Sequence, residues 1–287
     1  MRWLGGRESE NVEDRRGGGG LAIGGGIGTI VIAVIYMLLG GDPSEVLNRT
    51  SSSTDSPTMP GAQVRQPAAD DNAAKFTKLV LGNTEDVWTK LLADQGERYQ
   101  PPVLVLFRQQ TQSGCGVASE ASGPFYCPGD QKLYVDLSFY DELKDRFQAP
   151  GDFAMAYVVA HEVGHHLQDE WGILDKVHRA QEQMGEVEAN RLSVRLELQA
   201  DFLAGVWAHH AQKMKNILEP GDIEEALTAA NAIGDDRIQK AAQGYVVRDG
   251  FTHGSSAQRV YWFKKGFETG DIKQGDTFNS REDARLQ

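Results

Sequence analysis

A His-Glu-x-x-His pattern at His161, Glu162 and His165 constrains this chain more than any other feature, because it follows directly on the apolar run of residues 153–160. A Pro-Gly pair precedes that run, so the pattern predicts a helix that begins near Asp152 and is buried almost all round. Residues four apart on a helix point the same way, and two imidazoles could therefore bind one metal ion. Burying such polar groups without partners would be costly, so we expect the fold to supply a metal or hydrogen bonds.

A third ligand has to come from elsewhere, and the best candidate lies in a second long helical pattern, which runs from about residue 185 to residue 214. Within it Glu197 and Asp201 are four apart, and their apolar neighbours favour a buried segment over a solvated helix face. We expect Glu197 to complete a zinc site with His161 and His165, and Asp201 to accept a hydrogen bond from a ligating histidine. Glu162 lies off this face but within reach of a metal-bound water, for which it would be the general base.

Two further patterns predict how the metal-binding helix is packed. Gly164, between the two histidines, lowers helix propensity and predicts a close approach by another backbone. The stretch Lys132–Tyr140 alternates like a half-buried strand, and it comes shortly before the helix. We therefore expect this stretch to be the sheet edge that pairs with an extended peptide.

The His-Glu-x-x-His pattern with a downstream Glu-x-x-x-Asp looks like that of a gluzincin-type zinc peptidase, and other stretches are more specific. Together they resemble the bacterial YpfJ-type neutral zinc metallopeptidases over nearly the whole chain; these stretches are NVEDRRG (11–17), SGCG (113–116), GPFYCP (123–128), GDFA (151–154), HEVGHH (161–166), ELQAD (197–201) and THG (252–254). The resemblance implies a zincin-like, mainly helical α+β domain with a small sheet, and a zinc cofactor. It also implies a protein or peptide substrate. This expectation rests on the resemblance and not on the short motif, which serves other metal hydrolases as well.

A rival interpretation is a non-catalytic binding or scaffold protein that keeps a zinc-stabilised zincin fold. The intact Glu162 argues against it, because a structural zinc site needs no base. The chain has 287 residues and a formal net charge of −12, which argues against a nucleic-acid partner because phosphate binding needs a basic face.

The N-terminal part of the sequence predicts a membrane anchor. Residues 1–20 are polar and contain four arginines, whereas residues 21–39 contain no charge and would rise about 28 Å as a helix. A cleaved signal peptide has a shorter apolar region and a small-residue cleavage site, so a retained transmembrane helix is the better interpretation. The positive-inside rule then predicts residues 1–20 in the cytoplasm and a single-pass inner-membrane protein. Residues 40–74 resemble a disordered linker, and residues 75–287 would be the extracytoplasmic, periplasmic metallopeptidase domain.

Cys115 and Cys127 are the two cysteines, and they flank a glycine- and serine-rich loop. Outside the cytoplasm we expect them to form a disulfide. A cysteine-based metal or redox site is the alternative, but the short spacing and further ligands of such sites are lacking.

His253 is the candidate for a second electrophile at the site. It lies in a loop ahead of an apolar helix, a position from which a side chain can enter a cleft and stabilise negative charge on a carbonyl oxygen. Tyr245 and Tyr261 are alternatives for the same role.

Overall fold

The computed structural model describes residues 1–16, 67–119 and 122–279, and it has the mainly helical α+β architecture that the sequence predicted. The strands are β1 (Val12–Asp14), β2 (Val103–Phe107), β3 (Gln110–Ser113), β4 (Gly116–Ser119), β5 (Phe125–Cys127) and β6 (Lys132–Asp136). The helices are α1 (Pro67–Ala93), α2 (Phe139–Asp145), α3 (Asp152–Glu170), α4 (Ile173–Gln181), α5 (Glu186–Lys215), α6 (Asp222–Ala232), α7 (Asp235–Gln243) and α8 (Ser256–Thr269).

The larger sheet has the strand order β1-β2-β6-β5, in which β1, β2 and β6 are parallel and β5 is antiparallel to β6. Side chains alternate between its two faces. On β2, Leu104 and Leu106 belong to the large helical core, whereas Val105 and Phe107 pack in a small cluster with Ala118 of the β3–β4 hairpin. The helices therefore cover one face of the sheet, and the hairpin contributes to the cluster on the other.

Strand β6 lies inside the sheet, so the prediction that the stretch from residue 132 to residue 140 forms the edge is wrong. Leu133, Tyr134 and Val135 are all at most 1% exposed, because both faces of β6 are covered. Apolar side chains at three consecutive positions are typical of such a strand, and this pattern outweighs the alternation. The edge strand on this side of the sheet is β5.

Helices α3, α5 and α8 cross at small residues, which brings their backbones close together. A Cβ placed on Gly164 of α3 would lie 3.0 Å from the Cα of Ala200 on α5, so the predicted close approach is confirmed. A Cβ on Gly205 of α5 or on Gly266 of α8 would overlap a backbone carbonyl of the other helix. These crossings position the polar side chains of the three helices next to one another.

The N-terminal segment, which the sequence predicted to be a separate cytoplasmic stretch, packs on the domain instead. Strand β1 pairs with β2, and the amino group of Met1 lies 3.0 Å from carboxylate oxygens of Asp152 and Asp222. Buried Glu85 of α1 accepts hydrogen bonds from the side chains of three N-terminal residues, which are Arg7, Ser9 and Asn11. Residues 1–16 are therefore part of the same folded unit as the helices, and the prediction that residues 1–20 form a separate cytoplasmic segment is not retained.

The predicted membrane anchor also has to be corrected. Crossing a bilayer takes about 20 predominantly apolar residues in one helix. Within residues 1–16, 67–119 and 122–279 there is no helix with the length and apolar character to do so; even the long helix α5 carries several charged side chains. Residues 21–39, where the transmembrane helix was predicted, lie outside the described residues. We therefore do not retain the single-pass anchor or the inner-membrane location derived from it.

Helix α1 begins at Pro67, within the segment predicted to be a linker. Its first residues include four alanines and two aspartates, which favour a helix start, and proline is common at the first helical position. The rest of the predicted linker, residues 40–66, lies outside the described residues.

Cys115 and Cys127 are joined in a disulfide. Cys115 lies in the turn between β3 and β4, and Cys127 is the last residue of β5 and is fully buried. The edge strand is thus tied covalently to the hairpin as well as hydrogen-bonded to β6.

The contacts of Glu85 predict that the N-terminal segment stabilises the domain. Glu85→Ala should lower the free energy of unfolding by about 2–4 kcal/mol, because three hydrogen bonds to a buried carboxylate are lost. It should also speed amide hydrogen exchange in residues 7–16. The matched control is Glu97→Ala, which removes an exposed carboxylate and should change neither quantity. Equal exchange of residues 7–16 in the Glu85 variant and the wild type would show that Glu85 does not hold the segment.

Candidate active site

Helices α3 and α5 bring together the three residues that the sequence predicted as metal ligands. Each of His161, His165 and Glu197 offers a ligand atom, and these atoms lie within 4.8 Å of one another. The Nε2 atom of His161 is 3.1 Å from Glu197 Oε2, and the Nε2 atom of His165 is 3.4 Å from Glu197 Oε1. Both imidazoles therefore direct the same nitrogen towards one carboxylate.

The other nitrogen of each imidazole contacts a side chain that fixes the ring. His161 Nδ1 is 2.9 Å from Asp201 Oδ1, and because a carboxylate can only accept, Nδ1 donates. His165 Nδ1 donates to Gln168 Oε1 at 2.9 Å, since the amide nitrogen of Gln168 donates to Leu196 O. Because Nδ1 is held as a donor in both rings, Nε2 is the nitrogen that a metal ion would bind, and binding would displace any proton that Nε2 shares with Glu197.

Asp201 is the centre of a buried network that extends beyond His161. Its carboxylate accepts a hydrogen bond of 2.5 Å from the Tyr157 hydroxyl and hydrogen bonds of 2.8 and 3.0 Å from the Arg259 guanidinium. Arg259 also lies 3.2 Å from the hydroxyl of Tyr157. Since all three side chains are buried, Asp201 is held rigidly where it meets His161.

Sequence reasoning missed three of these supporting residues. Tyr157 precedes His161 by four positions and Gln168 follows His165 by three, so helical spacing could have identified both. Arg259 comes from α8, and no local spacing links it to the site.

Charge and burial act in opposition on the ionisable groups of the site. Burial disfavours the charge on Asp201, but Arg259 and His161 outweigh it and lower the pKa of the carboxyl. Burial also opposes protonation of His161, yet the carboxylates of Asp201 and Glu197 raise its pKa to about 10. For Glu162 burial dominates and raises the pKa of the carboxyl above its ordinary value.

Glu162 is buried beside the three donors but is not part of their cluster. Its Oε2 atom accepts a hydrogen bond of 2.8 Å from the backbone N–H of Tyr126 on β5. One oxygen of its carboxylate is therefore held by the edge strand, outside the cluster formed by His161, His165 and Glu197.

A cleft of about 490 Å³ opens onto these groups. One wall comes from β5 and the loop before it, and another comes from α4 and α5. The lining includes Phe125, Tyr126, Leu174, Leu196, Ile233 and Ile238 along with the polar site residues. A concave, largely apolar cleft with a few convergent polar groups is the usual form of a binding site.

His253 lies in this cleft, whereas its two rivals do not line it. The backbone N–H of His253 donates to Asp235 Oδ2 at 2.6 Å, and its Nδ1 is 3.3 Å from Asp235 Oδ1. Tyr245 is 62% exposed, and Tyr261 packs edge-on against Trp262. Of the three candidates from the sequence, His253 is thus the one near the donor cluster.

The donor cluster fits a catalytic zinc ion. Two imidazole nitrogens and one carboxylate are a common zinc ligand set, and the hydrogen bonds to Nδ1 already select the ligating tautomer. In the described ranges one other cluster could hold a metal ion, and it consists of Asp152, Asp222 and Glu225. It offers only carboxylates, and two of them contact the amino group of Met1. The histidine-containing cluster is therefore the zinc candidate.

Comparison with known proteins also points to zinc as the metal. Residues 1–278 match a family described as "Putative neutral zinc metallopeptidase". The chain is 48% identical to "Uncharacterized protein YpfJ" of Escherichia coli K12 over 287 residues, which covers 97% of this chain and 99% of that protein. It is 42% identical to "Uncharacterized protein Mb2605" of Mycobacterium bovis over 260 residues, 86% of each chain. No solved structure matches the chain. By the extent of the match and the level of identity, the chain belongs to this family of neutral zinc metallopeptidases.

Proposed function

We propose that this protein is a zinc-dependent metallopeptidase that hydrolyses peptide bonds. The observation that carries the proposal is the buried Glu162 carboxylate, which lies in the same cleft as the donors of His161, His165 and Glu197. A zinc site that only stabilises a fold has no use for a buried, separately held carboxylate that lines a cleft.

Each site residue has a distinct proposed role. His161, His165 and Glu197 would hold the zinc ion, which when bound supplies a Lewis acid and lowers the pKa of water. Glu162 takes a proton from the attacking water and passes it to the nitrogen of the leaving amine. Asp201 keeps His161 in its ligating tautomer.

Zinc content and chelator-sensitive proteolysis of the full chain test this function directly. We expect about one zinc ion per chain, and cleavage of an unfolded protein substrate that stops with a chelator and returns with zinc. The rival function, a zinc-stabilised scaffold, predicts the same zinc content without cleavage. Zinc-loaded protein that cleaves none of a broad panel of unfolded substrates and peptides would favour the scaffold.

His253 is the proposed donor to the carbonyl oxygen, held by Asp235. His253→Ala should leave zinc content and thermal stability unchanged and lower kcat by about 10²- to 10³-fold, the loss typical of one oxyanion donor. His178, an exposed histidine that lines the same cleft, provides the matched control, and His178→Ala should retain kcat. A wild-type rate for His253→Ala would remove it from the mechanism, and loss of zinc would make it a ligand or its support.

A further inference from the structure

Tyr126 contacts the active-site helix α3 at two points that lie two turns apart. Its backbone N–H donates to Glu162 Oε2 at 2.8 Å, and its hydroxyl donates to Asp169 Oδ2 at 2.7 Å. Residues seven apart lie on one face of a helix, so this single residue spans that face of α3. Its ring also packs edge-on against His166, with 5.3 Å between ring centroids.

The backbone contact depends on the position of Tyr126 in the edge strand. On β5, successive residues direct their N–H groups alternately towards β6 and away from it. The N–H of Tyr126 is directed away from β6 and reaches Glu162. The residues two before and two after it are Pro124 and Pro128, which have no N–H. Tyr126 is thus the residue of these three that can donate to Glu162.

The strand that carries this N–H is itself held firmly. Cys127, the next residue, is fully buried and bonded to Cys115 of the hairpin. On the other side, Phe125 stacks on Tyr134 of β6 with 5.0 Å between ring centroids. Burial and Asp169 raise the pKa of the Tyr126 phenol, so the hydroxyl stays protonated as a donor.

We propose that Tyr126 is a positioning residue, whose backbone N–H orients the Glu162 carboxylate and whose phenol keeps β5 at a set distance from α3. The catalytic consequence rests on the proposed function, because Glu162 is the general base there. Hydrogen bonds to a charged carboxylate are stronger than neutral ones, so this contact restricts the orientations of Glu162 in a site where a small misplacement lowers the rate.

The first test does not depend on peptidase activity. In the metal-free full chain, the Tyr126 amide should exchange slowly, and Glu162→Ala should speed its exchange at least about tenfold because the acceptor is lost. Glu162→Gln keeps an acceptor oxygen and should preserve the slow exchange. The amide of Tyr134, on the neighbouring strand, is the internal control and should not change. Equal exchange of the Tyr126 amide in wild type and Glu162→Ala would overturn the proposal.

The second test separates the N–H from the side chain. Tyr126→Ala and Tyr126→Pro both remove the ring and hydroxyl, but the proline variant also removes the N–H without removing a hydrogen bond to β6. With equal zinc content, Tyr126→Pro should have a kcat about 10- to 100-fold below that of Tyr126→Ala at unchanged KM. Equal kcat in two folded variants would refute the role of the N–H. Should the proline variant not fold, the hydrogen-exchange test decides.

The third test concerns the phenol. Tyr126→Phe loses the bond to Asp169, and Tyr134→Phe is the matched control because its hydroxyl bonds to Asp130 and not to α3. We expect Tyr126→Phe alone to lower kcat several-fold at unchanged KM, with zinc content retained. Identical kcat in both variants would contradict the spacing role. Zinc-loaded wild type without any peptidase activity would instead reject the proposed function and leave the hydrogen-exchange result standing.

Discussion

Glu162→Gln should keep about one zinc ion per chain and lower kcat by about 10²- to 10⁴-fold, the contribution typical of a general base. The amide has nearly the shape of the carboxylate, and its oxygen can still accept the hydrogen bond from the Tyr126 N–H, so the fold around it should persist. It cannot take a proton from water at neutral pH. Zinc analysis and steady-state kinetics on the same preparation measure both quantities.

The matched control for this change is Glu170→Gln, which makes the same replacement eight residues further along α3. The side chain of Glu170 bonds to the backbone N–H of Gln100, away from the donor cluster, so kcat should be retained. Full activity of Glu162→Gln would exclude Glu162 as the base. Loss of zinc in that variant would instead make it a ligand.

Glu197→Ala should lower zinc affinity by more than about 100-fold, because even the loss of a partner that only orients a ligand lowers affinity about 10- to 100-fold. Competition with a chromophoric chelator measures the affinity. Glu188→Ala is the control, since Glu188 is an exposed carboxylate in the first turn of the same helix. Unchanged zinc affinity in Glu197→Ala would show that the third ligand is another group.

Asp201→Asn should lower zinc affinity by about 10- to 100-fold, but the structure adds a second consequence. The replacement leaves the buried Arg259 without its ionic partner, which should destabilise the fold by about 3–5 kcal/mol. Unfolding has to be measured with zinc affinity so that the two effects are separated. Asp201 therefore supports both the metal site and the packing of α8 on α5.

Much of the candidate site could be predicted because it depends on spacing within single helices. His161 and His165 on α3, and Glu197 and Asp201 on α5, are each four residues apart, and helix geometry places such pairs on one face. The apolar residues around both pairs indicated that these faces are buried.

Composition was a poor guide at the N-terminus. Residues 1–16 are polar, which is typical of an unfolded segment, yet Glu85 and Asp222 provide buried acceptors for them from far along the chain. A polar segment folds when its donors meet such partners, and composition does not record where the partners are.

Tertiary structure alone decided which groups surround the predicted residues. Arg259 reaches Asp201 because α5 and α8 cross closely at Gly205 and Gly266, and Tyr126 reaches Glu162 because β5, not β6, is the edge strand. The period of a helix or strand specifies which of its residues share a face. It carries no information about which other element that face meets, since packing and strand order depend on contacts between residues distant in sequence.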